Sequence, residues 1–361
     1  MATKEKRLFE LLKDKVDAVV FMNATEPNLD RSFFYVTGIT SGLFEECVAI
    51  ASPRAVEVLS SALEETSARK AGVRVTVFKR RADLRMILEK KLRRYDTIGL
   101  NFSELTHANF KFISGAAKGV KIVDVSEEVR SARKIKDFDE IGRIARACRI
   151  ASRVADDIPD LVSPGDTETS AAAEVNYAMM FAGAEAPAFE TNASFGPATA
   201  EPHYVPGTRR LKKGQLALFD FGAMFRRYVS DITRTFVCGS PSARHRRMYE
   251  VVLEAQLAAI DAVEDGVTGK AVDAAARDVI DRSEFKGRFI HSTGHGLGIS
   301  VHDPGSVSMH LDETLRTGMV VTIEPGVYVK GFGGVRIEDD VLVTKGGCRV
   351  LTSASKELRQ I

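Results

Sequence analysis

Leu211-Lys-Lys-Gly214-Gln-Leu-Ala-Leu-Phe-Asp220-Phe-Gly222 is followed, 104 residues later, by Leu315-Arg-Thr-Gly318-Met-Val-Val-Thr-Ile-Glu324-Pro-Gly326. Leucine, glycine, a β-type apolar run, an acid and a second glycine coincide in register. Each copy is then followed by another acid, Asp231 and Glu338 respectively. Carboxylates gathered this closely raise one another's pKa and cannot all stay ionised alone. Two divalent cations would balance four of them in formal charge. The alternative, two surface pairs neutralised by Lys and Arg, fits poorly, because acids inside apolar strands are not surface-like.

The repeat extends outward from the strands. Asp137 opens a helix, with Glu140 at capping-box spacing and Ile141, Ile144, Ala145, Cys148, Ala151 and Val154 on one apolar face. Pro164-Gly-Asp-Thr167 and a second helix ending near Gly183 lead to the Asp220 strand. In the second half a helix begins near Ser242, with Met248, Val252, Ala255 and Ala259 on one face. Asp265-Gly-Val-Thr268 and another helix then lead to the Glu324 strand. Gly165 and Gly266 are 101 residues apart, close to the strand offset. The C-terminal part therefore reads as a duplicated helix-helix-strand-strand unit, closed about a pseudo-twofold axis rather than extended as a solenoid.

The two aspartates are 11 residues apart, and 222–227 are long enough to turn a hairpin. That hairpin would place Asp220 and Asp231 across from one another. Thr322 and Glu324 share one strand face, and so do Arg336 and Glu338. Of seven histidines, His203 lies 17 residues before Asp220, and three more fall in Phe289-Ile-His291-Ser-Thr-Gly-His295-Gly-Leu-Gly-Ile-Ser-Val-His302-Asp303. The flanking Gly294, Gly296 and Gly298 would let backbone pass close to a ligand or metal. A solitary histidine is usually a satisfied core residue; three within one short segment beside an acid cluster point to function.

The set Asp220, Asp231, His295, Glu324 and Glu338 resembles the five metal ligands of the pita-bread metallopeptidases, a superfamily that includes methionine aminopeptidase, aminopeptidase P and prolidase. The motifs that carry the likeness are Phe219-Asp-Phe-Gly222, Ser230-Asp-Ile-Thr-Arg-Thr235, Ser292-Thr-Gly-His-Gly-Leu-Gly298, Thr322-Ile-Glu-Pro-Gly326 and Val335-Arg-Ile-Glu-Asp339. The resemblance implies two divalent ions, for which an oxygen-rich set with one imidazole suits Mn²⁺, Co²⁺ or Fe²⁺ at least as well as Zn²⁺. It implies that Glu324 also acts as general base, that His203 and His302 contact substrate and stabilise the oxyanion, and that His291 lies near the pocket for the residue after the scissile bond. Arg336 would orient a ligand carboxylate. Tyr328 matches a tyrosine near the aminopeptidase P site, and a plain core tyrosine is an equal reading.

Residues 1–132 alternate helical and strand-like patterns as an α/β layer, with strands expected at 16–22, 32–36, 46–51, 73–78 and 97–101. No glycine-rich phosphate loop follows a strand there. Arg31-Ser-Phe-Phe-Tyr-Val-Thr-Gly38 resembles the N-terminal domain of the prolidase and aminopeptidase P branch. The expected architecture is thus an N-terminal α/β domain over 1–132 and an α+β pita-bread catalytic domain over 133–361. The implied reaction is hydrolysis of the N-terminal Xaa-Pro bond of dipeptides or short peptides. A tertiary Xaa-Pro amide has no N–H, so proteases that bind ordinary backbone handle it poorly. Many prolidases carry an arginine four residues after the histidine that corresponds to His302. Here that residue is Ser306, and aminopeptidase action on longer peptides stays open. Creatinase-type chemistry on a guanidino compound uses the same two-domain frame, but those metal-free relatives lack the acid ligands. Non-catalytic binding proteins on this scaffold typically lose ligands and gain insertions or tails.

The bulk composition agrees with these expectations. At 361 residues, 44% hydrophobic and 28% charged, the chain suits two soluble domains. A net charge of +2 gives no footprint for nucleic acid. The one basic cluster, Lys79-Arg80-Arg81 through Lys90-Lys91 and Arg93-Arg94, is interleaved with Leu84, Leu88 and Leu92 and reads as a solvated helix face. No apolar run approaches a membrane span, and no signal-peptide core follows the charged N-terminus. Cys47, Cys148, Cys238 and Cys348 are widely spread, as for reduced, mostly buried thiols in a cytoplasmic protein. The resemblance also implies a homodimer.

Overall fold

The computed structural model describes residues 4–361. Two compact units divide between Arg133 and Lys134.

The first unit runs α1 (Lys4–Leu12), β1 (Ala18–Met22), α2 (Arg31–Thr37), β2 (Val48–Ser52), β3 (Ala55–Ser61), α3 (Glu65–Lys70), β4 (Arg74–Phe78), α4 (Arg81–Leu92), β5 (Thr97–Leu100), α5 (His107–Ala116), β6 (Lys121–Asp124) and α6 (Ser126–Lys134). Its mixed sheet has the order β4-β3-β2-β1-β5-β6, with β2 antiparallel to both neighbours and the remaining pairs parallel. Leu84, Leu88 and Leu92 turn the apolar stripe of α4 into the core beside Val20, Ile50 and Ile98. The arginines and lysines on the same helix are left to solvent and to ion pairs such as Lys91–Glu57.

Residues 32–36 are not a strand; they form α2. Asp30 accepts a hydrogen bond from Ser32 N at 2.8 Å and caps the first turn, while Gly38 (φ +68°) ends the helix in the left-handed conformation. Phe33, Phe34 and Tyr35 are all buried. A short apolar run enclosed on every side has no periodicity to separate strand from helix, and the cap decides.

The second unit runs α7 (Phe138–Leu161), α8 (Glu168–Phe181), β7 (Ala186–Pro187), β8 (Asn192–Phe195), β9 (Leu216–Phe221), β10 (Ala223–Phe225), β11 (Tyr228–Val229), β12 (Ile232–Val237), α9 (Ala243–Asp261), α10 (Gly269–Asp281), β13 (Gly294–Gly296), β14 (Asp303–Val307), β15 (Val320–Ile323), β16 (Gly326–Val329), β17 (Gly333–Arg336), β18 (Asp339–Thr344) and β19 (Gly347–Val350). The duplication is visible in backbone bonds. Gly165 N donates to Leu211 O at 2.8 Å, and Gly266 N donates to Leu315 O at 2.9 Å. Leu211 N and Leu315 N donate back, to Asp166 O and Val267 O. Thr167 and Thr268 are the N-caps of α8 and α10, and each forms an isolated bridge to the segment before the acid-bearing strand.

Each half has its own core. α7 and α8 cover β8, β9 and β12 through Ile150, Val154, Ile158, Val175, Phe195, Phe219 and Phe236. α9 and α10 cover β15 and β18 through Met248, Val252, Val272, Ala276, Val321, Ile323 and Val341. The halves join where β12 meets residues 336–338: Glu338 N donates to Thr233 O at 3.1 Å, and Thr235 Oγ1 donates to Arg336 O at 3.0 Å. The four acids therefore stand on strands backed by two rigid cores.

Candidate metal centre and active site

β9 and β12 pair antiparallel, with Asp220 opposite Thr233 and Phe221 opposite Ile232. The same register continues to the pair Met224↔Val229, which sets Asp231 opposite Gly222. The aspartates are therefore diagonal neighbours on one face, not directly across from one another. Gly222 supplies the room, since a Cβ there would lie 1.9 Å from Ser230 O. In the other half the ladder of β15 and β18 ends at Ile323↔Asp339, and Glu324 and Glu338 are the next residue on each strand.

β13 adds the imidazole. It pairs with β15 at Gly296↔Val321, and His295 N donates to Thr322 Oγ1 at 3.1 Å. His295 Nε2 then lies 3.4 Å from Glu324 Oε1 and 3.7 Å from Asp231 Oδ2. Its Nδ1 contacts Gly296 O at 3.2 Å, so the proton sits on Nδ1 and Nε2 offers a lone pair. The glycines around it serve strand packing rather than ligand approach. A Cβ at Gly294 would lie 1.9 Å from Thr322 O, and one at Gly296 would lie 2.3 Å from Pro304 O.

A buried cation completes the cluster. Arg336 Nη2 donates to Asp220 Oδ2 at 2.5 Å, Nε to Thr233 Oγ1 at 2.9 Å and Nη1 to the Tyr328 hydroxyl at 3.0 Å. Thr233 Oγ1 in turn donates to Glu338 Oε2 at 2.6 Å. The Tyr328 hydroxyl donates to His291 Nε2 at 2.7 Å, and His291 Nδ1 donates to Ser292 O at 2.8 Å. That chain has one consistent direction only if His291 is neutral.

The electrostatics follow from burial. Burial, reinforced by Glu338 and Asp220, pushes the Asp231 carboxyl well above the usual range. Burial and then Glu324 do the same to Glu338. Burial raises Glu324 too, against the pull of His291 and Arg336. Desolvation lowers His291, His295 and His302, all toward neutral imidazole. Burial works against the charge of Arg336, yet Tyr328, Asp220 and the glutamates hold its pKa well above normal. Tyr328 is pushed up to about 12 by burial.

These residues fit divalent metal. Ligand atoms of Asp231, His295 and Glu338 lie within 4.8 Å of one another. Asp231 Oδ1 is buried with no hydrogen-bond partner, an orphan that a cation would satisfy. Carboxylates that burial drives toward protonation regain their charge when a divalent ion replaces the proton.

A cavity of about 460 Å³ opens over the cluster, lined by Asp220, Asp231, His295, Glu324, Arg336 and Glu338. His203, His291, His302 and Ser306 share its wall, so residues from four separate segments meet. The rings of His295 and His302 are 4.3 Å apart and edge-on. Tyr328 is not on the wall; it stands behind Arg336 and His291 and touches both. Phe189, Pro202 and Val301 give the cavity an apolar side.

Sequence reasoning missed two contributors. Thr233 bridges Arg336 to Glu338, and its place two residues after Asp231 on the same face was the available signal. Asp340 accepts from Asp231 N at 2.9 Å and from Cys148 Sγ, and burial raises its pKa to about 8. Its signal was a third consecutive acid, after Glu338 and Asp339, inside an apolar strand.

Residues 142–345 match the metallopeptidase family M24, and residues 6–135 match the creatinase/prolidase N-terminal domain. The chain belongs to metallopeptidase family M24. The two-part fold expected from the sequence, an α/β domain followed by a pita-bread domain, is that of the family, and the family implies divalent metal ions. The chain is 36% identical over 357 residues to a Xaa-Pro dipeptidase from Pyrococcus furiosus, covering 96% of this chain and 100% of that protein. It is also similar to the solved Xaa-Pro dipeptidase of Bacillus anthracis, with a TM-score of 0.91, 30% identity and 99% of each chain covered. The solved X-Pro aminopeptidase of Thermotoga maritima matches with a TM-score of 0.92 and 31% identity, covering 98% of this chain and 100% of that one.

Proposed function

We propose that this metallopeptidase hydrolyses the N-terminal Xaa-Pro bond of dipeptides and short peptides, at a dinuclear centre held by Asp220, Asp231, His295, Glu324 and Glu338. The observation that carries the reading is the convergence of these five residues, from both halves of the repeat, on one cavity whose wall also holds His203, His291 and His302. The full-length likeness to Xaa-Pro peptidases supports the substrate class. The oxygen-rich donor set with one imidazole favours Mn²⁺ or Co²⁺, with Fe²⁺ or Zn²⁺ as further candidates. We assign the chemistry to residues 133–361 and leave 1–132 outside it.

When bound, the two ions would lower the pKa of a shared water and polarise the scissile carbonyl. The chain's own residues do the rest. Glu324, raised by burial, is poised to accept a proton from the attacking water at its carboxylate and to pass it to the leaving nitrogen. His203 and His302 face the cavity as donors to the developing oxyanion. Both nitrogens of His291 are already engaged, by Ser292 O and Tyr328, so its ring acts as wall rather than donor. Phe189, Pro202 and Val301 add apolar lining to the same cavity, which suits a proline ring. Arg336 fixes the orientation of Asp220 and, through Thr233, of Glu338.

Dipeptides would present a free carboxylate to the cavity wall. Ser306, on that wall and paired with His295 across β13 and β14, offers a hydroxyl there and no cation. This favours tolerance of longer peptides beside dipeptides. The decisive experiment compares kcat/KM on Xaa-Pro and Xaa-Pro-Xaa with Mn²⁺- or Co²⁺-loaded protein. No turnover of either would refute the assignment. The same reading carries a cytoplasmic homodimer, consistent with four free cysteines and checked by sedimentation. No helix among the described residues is long and apolar enough to cross a membrane.

A further inference from the structure

Glu168 is the first residue of α8 and is fully buried, with 0% of its surface exposed. No metal-site residue touches it. Its carboxylate accepts three hydrogen bonds: from Phe195 N at 3.0 Å, from the Tyr204 hydroxyl at 2.8 Å and from Gly207 N at 3.1 Å. Arg209 Nε adds an ion pair at 3.6 Å. Phe195 belongs to the core strand β8, whose Asn192 pairs with Asp220 on β9. Tyr204, Gly207 and Arg209 belong to the irregular segment 201–210, which carries His203 into the cavity.

The repeat isolates what the side chain does. Glu168 N donates to Arg209 O at 3.0 Å, and the corresponding Gly269 N donates to Glu313 O at 2.7 Å. The backbone docking of helix to segment is therefore common to both halves. At Gly269 the chain needs no side chain and has no room for one, since a Cβ would lie 2.2 Å from Ser306 O. In the first half a carboxylate stands there instead, and it accepts from Phe195 before His203 and from Tyr204 and Gly207 after it. A charged acceptor with three donors fixes its partners more tightly than a neutral one.

We propose that Glu168 is a positioning residue: it clamps the 201–210 segment to β8 through Tyr204 and Gly207, and so holds the His203 imidazole at the cavity wall. The inference rests on His203 acting on substrate, as proposed above. Removing a cavity-wall donor costs about 100-fold in kcat, and a 1 Å misplacement of such a group costs about as much. Glu168→Gln should therefore lower kcat by about tenfold to 100-fold, with KM changed far less. Bound metal should be unchanged.

The test is a double-mutant cycle on the full, metal-loaded chain, with amide hydrogen exchange as a second readout. In the His203→Ala background, Glu168→Gln should cause no further loss of kcat. Exchange across 201–208 should rise in Glu168→Gln, while exchange in β9 stays as in the parent. Tyr204→Phe, which removes one of the three bonds from a half-exposed side chain, should shift both readouts in the same direction and serves if Glu168→Gln folds poorly. Equal losses from Glu168→Gln with and without His203 would overturn the proposal, as would unaltered exchange at 201–208. Raised exchange together with a fully active His203→Ala variant would instead refute the role of His203 and leave the clamp standing.

Discussion

Arg336 offers the sharpest quantitative test of how the cluster is held. It is 3% exposed and makes three hydrogen bonds in three directions, to Asp220, Thr233 and Tyr328. Arg336→Lys keeps the charge but replaces a planar fork by one ammonium, which cannot reach all three acceptors. If the ammonium keeps Asp220, the bonds to Thr233 and Tyr328 are lost, at about 1 kcal/mol each, for a total of about 2 kcal/mol. Arg336→Met removes the charge as well and leaves the part-buried Asp220 without its partner, for about 3 kcal/mol in the metal-free protein. Bound divalent cations would supply Asp220 with another partner, so the methionine penalty should shrink on metal loading while the lysine penalty should not. Urea unfolding of both variants, with and without metal, measures the four differences. Activity should fall by about 10- to 100-fold in both variants, because Glu338, held through Thr233, loses its orientation in each. A lysine variant within 0.5 kcal/mol of the parent, or a methionine penalty indifferent to metal, would refute the reasoning about where the guanidinium acts.

Four further outcomes are expected. Glu324→Gln should abolish turnover with an unchanged circular dichroism spectrum, and retained activity would reject its part as base. Metal affinity, followed by calorimetry, should weaken as pH falls: Asp231, Glu324 and Glu338 are raised above ordinary carboxylates, so protons compete for them at higher pH than for free acids. By the same sign, metal-free protein binds more protons folded than unfolded above the ordinary carboxylate range, so its stability should decline as pH rises from that range through the raised values. Metal loading should then raise Tm more at pH 7 than at pH 5, and equal shifts would count against a shared carboxylate cluster. Ser306→Arg should raise kcat/KM on Xaa-Pro relative to Xaa-Pro-Xaa by about tenfold, as expected of one new charged hydrogen bond to a terminal carboxylate, and an unchanged ratio would remove that wall from substrate recognition.

The acids and histidines were legible in the sequence because their chemistry is rare in their surroundings. A carboxylate inside Leu216-Ala-Leu-Phe-Asp220 or Val320-Val-Thr-Ile-Glu324 has no ordinary structural reason to be there, and repetition doubled the signal. Local geometry was less legible where two conformations share one pattern. Residues 32–36 read as strand because Phe33, Phe34 and Tyr35 give no periodicity, and only the Asp30 side chain and the Gly38 turn select the helix. The offset of Asp231 from Asp220 was hidden because the hairpin length fixes the register only once the turn at Arg226 and Arg227, both with positive φ, is known. The glycines around His295 were read as making way for a ligand, when it is the carbonyls of Thr322 and Pro304 that fill the space.

Partner residues such as Thr233, Asp340 and Glu168 were less legible for a different reason. Threonine, aspartate and glutamate each occur in a strand or at a helix start on ordinary grounds, so local signals such as a shared face with Asp231 or a run of acids do not by themselves assign a role. What marks them is the residue they face across a sheet or loop, and that comes from the fold. The duplication sharpens this point. Both halves keep the backbone contacts of helix, turn and strand, from Leu211 and Leu315 to Glu168 N and Gly269 N. They differ in side chains where the site is asymmetric: by strand register His295 stands where the first copy has Ser194, not Thr191 as the 104-residue offset suggests, and Glu168 stands where the second has Gly269. A cage of four acids can bind cations but offers a peptide no hydrogen-bond donor. On the assignment proposed above, the unrepeated imidazoles, and the carboxylate that holds one of their segments, would distinguish the two sides of a bound peptide, which is what cleavage at one end of a substrate requires.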